Sequence, residues 1–174
     1  SHMVELKRTT VENRETQRCL EELQDQITTI GLIHAQLYEE QSGDGVDMHR
    51  YLQELTDRAA RGLSDGARTV TTVVQVPSVI VPPDAATPIG LVVSELLTNA
   101  HKHAFPGRTD GMIWIRASVD DGMCRLAVEN DGEPFPDVFA LDNTGTLGLR
   151  LVQSLAVELG GNARVIPRSR RGIE

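Results

Sequence analysis

The sequence predicts an α+β fold, a two-layer α/β sandwich in which helices cover one face of a mixed sheet, preceded by a partial helical hairpin. Three observations carry this expectation. Apolar residues recur at helical spacing before residue 63, again around 89–97, and again over 147–159. A β-branched run, Val70, Val73, Val74, Val76, Val79, Ile80 and Val81, lies between the first two helical stretches. Two alternating segments, 112–119 and 124–129, flank Asp120-Asp121-Gly122, the mark of a hairpin.

The elements follow in order. Leu20, Leu23, Ile27, Ile30, Ile33 or His34, and Leu37 trace a stripe suited to packing against another helix. That helix is expected to end near Gln41, where Ser42-Gly43-Asp44-Gly45 breaks it. A further helix is expected over about 47–60, with Met48, Tyr51, Leu52 and Leu55 inward. Residues 69–81 read as one or two strands interrupted at Pro77. Pro82-Pro83-Asp84 then starts a helix, with Asp84 as its cap, that runs to about Ala104 and is stopped by Phe105-Pro106-Gly107. After the hairpin, 147–159 is amphipathic, with Leu151, Leu155 and Leu159 on one side and Gly160-Gly161 closing it. Residues 162–167 read as a strand, and 168–171 as a turn before a last one.

At 174 residues the chain has room for one well-buried domain and an accessory helical piece. A net charge of -8 argues against a general nucleic-acid surface or an anionic-membrane binder. No apolar run has the length of a membrane span. Cys19 and Cys124 lie far apart, without metal-ligand spacing, and read as reduced structural thiols of a cytoplasmic protein. Ser1-His2-Met3 reads as the remnant of an expression tag, which leaves His2 outside any functional reading.

The chemistry concentrates in residues 94–105, SELLTNAHKHAF. Glu95, Asn99 and Lys102 are spaced by four and three, so on a helix they share one face, with His103 beside them. Two oxygen-bearing side chains one turn apart suit a hard cation such as magnesium, which keeps waters and takes its other ligands from substrate phosphates. A lysine one turn further on would neutralise those phosphates. The same spacing also suits a plain solvated helix face. Of the other histidines, His34 reads as a packing residue in mid-helix, His49 as solvent-facing at a helix start, and His101 as part of the same polar stretch as His103.

SELLTNAHKHAF resembles the N-box of the gyrase, heat-shock chaperone, histidine kinase and mismatch-repair ATPase superfamily. It is most similar to the E-L-x-T-N-A-x-K-H-A-F form of bacterial sensor histidine kinases whose phosphoacceptor segment reads H-R-V-K-N-N-L. In that family the strand after the N-box hairpin ends in D-x-G-x-G, whose aspartate meets the adenine amino group. Here VENDGEPFP puts Asn130 at the aspartate, Gly132 at the first glycine and Pro134 at the second, a departure that puts high ATP affinity in doubt. NTGTLGL, residues 143–149, resembles the family's T-G-x-L-G-L turn, with Gly145, Leu147 and Gly148 at a helix start where backbone amides favour phosphate oxygens. LEELQDQITTIGLIHAQLY resembles the second helix of the dimerising hairpin.

The resemblance implies ATP and Mg2+ as cofactors. Asn99 and Glu95 would serve the metal, Glu95 also acting catalytically by orienting a metal-bound water or assisting proton movement. Lys102, His103, Gly145, Leu147 and Gly148 would meet phosphates, and Asn130 with Gly132 would face adenine. It further implies a protein histidine kinase that passes the γ-phosphoryl to a histidine lying before residue 4 and then to an aspartate on a response regulator receiver domain. On that alignment 1–3 are tag remnant, 4–63 a partial dimerisation hairpin lacking its phosphoacceptor helix, and 64–174 the ATP-binding catalytic domain, with a homodimer formed through the hairpin. Without the phosphoacceptor the chain alone would not autophosphorylate. Two alternatives stand beside this. One is a nucleotide-binding-deficient adaptor or phosphotransfer-like protein, which Asn130 and Pro134 favour. The other is an anti-sigma-factor serine kinase, which the leading hairpin argues against.

Overall fold

The computed structural model describes residues 31, 45–63, 69–134 and 147–166. In chain order they form β1 (Val46–Asp47), α1 (Met48–Leu63), β2 (Thr69–Gln75), β3 (Ile80–Val81), α2 (Pro83–His103), β4 (Asp110–Asp120), β5 (Met123–Asn130) and α3 (Leu147–Glu158). The helical stripe expected at Leu20–Leu37 and the last turn and strand after 167 lie outside the described residues.

α1 buries the expected stripe: Met48, Tyr51, Leu52 and Leu55 are all buried. Asp47 opens it, accepting the Arg50 N–H at 2.9 Å through one oxygen and the Ser78 hydroxyl through the other. Those two donors, Ser78 first, hold its carboxyl below the usual carboxylate range. Pro77 splits the β-branched run as expected. β3 pairs antiparallel with β1, a two-residue strand too short to have its own sequence signature.

α2 begins at Pro83, with Pro82 as N-cap and no capping side chain. This corrects the expectation for Asp84, which lies inside the first turn. Proline suits the first helical position because its missing N–H would have no partner there. The buried side of α2 carries Leu91, Val93, Leu97 and Ala100, and Gly90 faces α1 so closely that a Cβ there would meet the Tyr51 hydroxyl.

β2 runs parallel to β4, and β4 antiparallel to β5, giving the mixed sheet β2-β4-β5. The β4–β5 turn is type I′: Asp121 (φ 46°) and Gly122 (φ 74°) both have positive φ, the conformation for which the Asp-Gly signal stands. On the inner face Thr72, Ile113 and Asn130 form one cross-strand row, and Val74, Ile115 and Val128 the next. Ile113 and Ile115 are fully buried, and one core joins them to Tyr51, Leu52, Leu97 and Leu155. α1 therefore packs on the same sheet as α2. The outer face carries Trp114, roofed by Arg116, whose guanidinium stands 5.6 Å from the ring centroid. Arg116 bonds Gln75 on β2 (2.7 Å) and Glu129 on β5 (2.5 Å).

α3 ends in a Schellman motif, with Gly160 N–H bonded to the Val157 carbonyl (2.9 Å), Gly161 N–H to the Ala156 carbonyl (2.8 Å) and Gly160 at φ 75°. Three expectations are corrected here. Leu159 lies past the helix end and is exposed. Residues 162–166, the described part of the expected strand, have no regular secondary structure, and Ile166 is exposed. Cys124, near the hairpin tip, is free, in line with a reduced thiol, but exposed rather than structural, and Cys19 lies outside the described residues.

Thr72 is the unfavourable member of the inner row. Its Oγ1 is buried without a hydrogen-bond partner among the described residues. Thr72→Val keeps the shape and removes the orphaned hydroxyl, so thermal unfolding should show a gain of about 1 kcal/mol. A loss of stability would mean that the hydroxyl has a partner in solution.

Candidate functional site

The polar edge of α2 lies opposite its buried stripe. Glu95 and Asn99 are half-buried there, while Lys102 and His103 are exposed near the helix end. His101 turns back along the helix, its Nδ1–H donating to the Leu97 carbonyl at 3.0 Å. Asn99 Nδ2 is buried and has no hydrogen-bond partner among the described residues. An amide in that state costs about 1–3 kcal/mol unless something completes it, so this position is poorly explained by folding alone.

Glu95 meets the start of α3. Leu147 is the first helical residue there and Gly148 is buried against the Glu95 carboxylate, so closely that a Cβ on Gly148 would overlap Glu95 Oε2. The first turn of a helix carries backbone N–H groups without intrahelical partners. The chain thus sets a carboxylate and a carboxamide, one turn apart, beside a helix N-terminus. Gly145 lies outside the described residues.

The third piece is the turn after β5. Asn130 lies on the helix-covered face beside Ile113, and its Oδ1 accepts the Gly132 N–H at 3.0 Å, closing an Asx turn. Gly132 presses on the Ala104 carbonyl at the end of α2 more closely than a Cβ permits, with the Phe105 ring beside it. Glu133 N–H donates to the same carbonyl at 2.7 Å. Glycine is needed there for close approach, and Pro134 beyond it is exposed. The site residues expected from sequence therefore fall on three elements, two of which touch α2 directly: α3 at Glu95, and the β5 turn at Ala104.

With Asn130 at the aspartate position, Asp131 falls one residue late for adenine, and no sequence motif singles out Arg108. In the fold they are a pair. Asp131 exchanges backbone and side-chain bonds with Met112, its N–H donating to the carbonyl at 3.1 Å and its Oδ1 accepting the N–H at 2.7 Å. Arg108 donates to the Asp131 carbonyl (3.0 Å) and to its carboxylate (3.1 Å). Burial pushes the Asp131 carboxyl up, but the Met112 N–H and the Arg108 guanidinium outweigh it, and the group sits below the usual carboxylate range. A depressed folded-state pKa stabilises above the unfolded value and is lost as pH falls through the folded one. On acidification below about pH 4, the wild type should lose its advantage over Asp131→Asn in denaturant unfolding. With side chains 36% and 31% exposed, that advantage should be about 1 kcal/mol or less. A pH-independent difference would rule out the ionised pair as its source.

Residues 1–62 match the family model described as "Histidine kinase", and residues 58–165 match the one described as "Histidine kinase-like ATPase domain". Blue-light-activated histidine kinase 2 of Erythrobacter litoralis is 42% identical over 102 residues, 58% of this chain and 30% of that protein. Sensor histidine kinase PdtaS of Mycolicibacterium smegmatis is 31% identical over 156 residues, 86% of this chain and 30% of that protein. This chain thus spans under a third of the length of either relative. Among solved structures, the histidine kinase domain of the Erythrobacter litoralis EL346 blue-light activated histidine kinase superposes with a TM-score of 0.71 at 31% identity, covering 84% of this chain and 69% of that one.

Proposed function

The chain belongs to the histidine kinase-like ATPase domain family, and from that premise we propose that it is the ATP-binding catalytic region of a two-component sensor histidine kinase. In this reading the γ-phosphoryl of ATP passes to a histidine and then to an aspartate on a response regulator receiver domain. The observation that carries it is the meeting of Glu95 with Gly148 at the start of α3, one turn from Asn99, whose Nδ2 has no partner among the described residues. Among the described residues no three His, Cys, Asp or Glu side chains gather around a metal position. A Mg2+ ion held by one or two protein oxygens and by nucleotide phosphates would take Asn99 and Glu95 as its protein donors.

Magnesium bound there would neutralise phosphate charge and fix the phosphate chain. The protein's own residues do the rest. Glu95 orients a water or assists proton movement, Lys102, His103 and the residues 145–148 meet phosphate oxygens, and Asn130 with Gly132 faces adenine. Catalysis of this kind rests on positioning and charge neutralisation. In this reading residues 4–63 are the partial hairpin and 64–174 the ATP-binding domain, with α1 contributing Tyr51, Leu52 and Leu55 to the core that the sheet and α2 share. No helix among the described residues is long and apolar enough to cross a membrane, and a cytoplasmic location suits the chemistry.

One observation favours a second reading, an adaptor with weakened nucleotide binding: Asn130 Oδ1 already accepts the Gly132 N–H. The match of residues 1–62 to a histidine kinase model favours a hairpin-bearing kinase over an anti-sigma-factor kinase. The deciding experiment joins this chain to an upstream phosphoacceptor segment and supplies γ-labelled ATP with magnesium. Acid-labile, base-stable label is expected on histidine. The absence of both bound nucleotide and label would favour the adaptor.

A further inference from the structure

We propose that Arg108 is a positioning residue for the nucleotide site, fixing the Asn130–Gly132 turn against the end of α2 and so setting how far the adenine-facing turn stands from the phosphate-facing helix edge. This rests on the functional reading above. Phe105-Pro106-Gly107-Arg108 is a tight turn in which Arg108 N–H bonds the Phe105 carbonyl at 3.3 Å, and Gly107, at φ 72°, follows a proline as a type II turn requires. That turn carries the guanidinium over the buried Phe105 ring, 5.5 Å from its centroid. From there its two terminal nitrogens reach Asp131, one to the backbone carbonyl and one to the carboxylate. A planar fork grips both atoms at once and thereby fixes the orientation of the residue between Asn130 and Gly132.

The other ties of this segment run to the same place. Gly132 and Glu133 lean on Ala104, which caps the helix that carries Asn99 and Lys102. Asp131 is bonded to Met112 on β4. Among the described residues, Arg108 alone joins the turn leaving α2 to the turn leaving β5 through a side-chain fork. Its hydrogen bonds, ion pairs and ring contact among the described residues go to Phe105, Asp110 and Asp131, none of them assigned to phosphate or metal, so its influence should fall on the adenine end.

The test compares ATP with magnesium tripolyphosphate, which keeps the phosphate chain and lacks adenine, on the intact chain and on Arg108→Ala and Arg108→Lys. Arg108→Ala should weaken ATP about tenfold and leave tripolyphosphate within about twofold. Gly132 and Glu133 amides should exchange hydrogen faster in Arg108→Ala, and Arg108→Lys, which keeps the charge but not the fork, should fall between. Equal weakening of both ligands would show a general loss of fold and overturn the proposal, as would unchanged ATP affinity in Arg108→Ala. Should the wild type bind tripolyphosphate or nothing, but not ATP, the nucleotide reading itself falls and this inference with it. Wild-type binding with an indifferent Arg108→Ala sinks the positioning role alone.

Discussion

Asn99→Ala should lower the affinity for magnesium-ATP by about 100-fold and leave the fold as stable as before. The two halves of that result have one cause. Asn99 Nδ2 bonds to nothing among the described residues, so removing the amide takes no hydrogen bond from the protein, and alanine is the better helix former by about half a kilocalorie per mole. What disappears is the polar group that the helix edge offers to the metal and phosphates. Calorimetric titration with and without magnesium, beside a thermal melt, separates the effects. A variant that binds normally, or one that unfolds, would show that the amide serves packing.

Gly148→Ala should cut phosphoryl transfer about 100-fold while keeping the melting temperature within a few degrees. A Cβ at 148 would occupy the space of Glu95 Oε2. Because that atom ends a flexible side chain, the fold relieves the clash by turning the carboxylate away, at little cost to packing. The carboxylate then no longer faces the start of α3. Transfer rate in a protein carrying its phosphoacceptor histidine is the readout. Undiminished transfer would remove Glu95 from the chemistry. A collapse of stability would mean that the α2–α3 contact is rigid.

Much of the fold was legible in the sequence because single periodicities dominate it. The stripe Met48, Tyr51, Leu52, Leu55 and the alternation around Asp121-Gly122 each have one geometric solution, and the structure contains both. What escaped depends on partners distant in sequence. Gly90 matters only because Tyr51 lies across from it, and residues 162–166 pair with no strand among the described residues. Asp84 lost the cap to Pro82 because adjacent prolines set the helix start before a side chain could.

The site divides the same way. Glu95, Asn99 and Lys102 share a face by spacing alone, which any helix would give. Their meeting with Gly148 was legible only as an order of motifs, since the sequence carries no distance between α2 and α3. Arg108 and Asp131 left no sequence signal beyond a Pro-Gly turn and an Asp-Gly pair, and their roles follow from the approach of two loops.

The most direct measurement is titration of ATP into this chain by calorimetry, in magnesium and again in excess EDTA. Saturable binding that needs magnesium and is lost in Asn99→Ala is the expected result. No heat of binding at millimolar nucleotide, from a chain whose fold is verified in the same sample, would contradict a nucleotide site between α2 and α3.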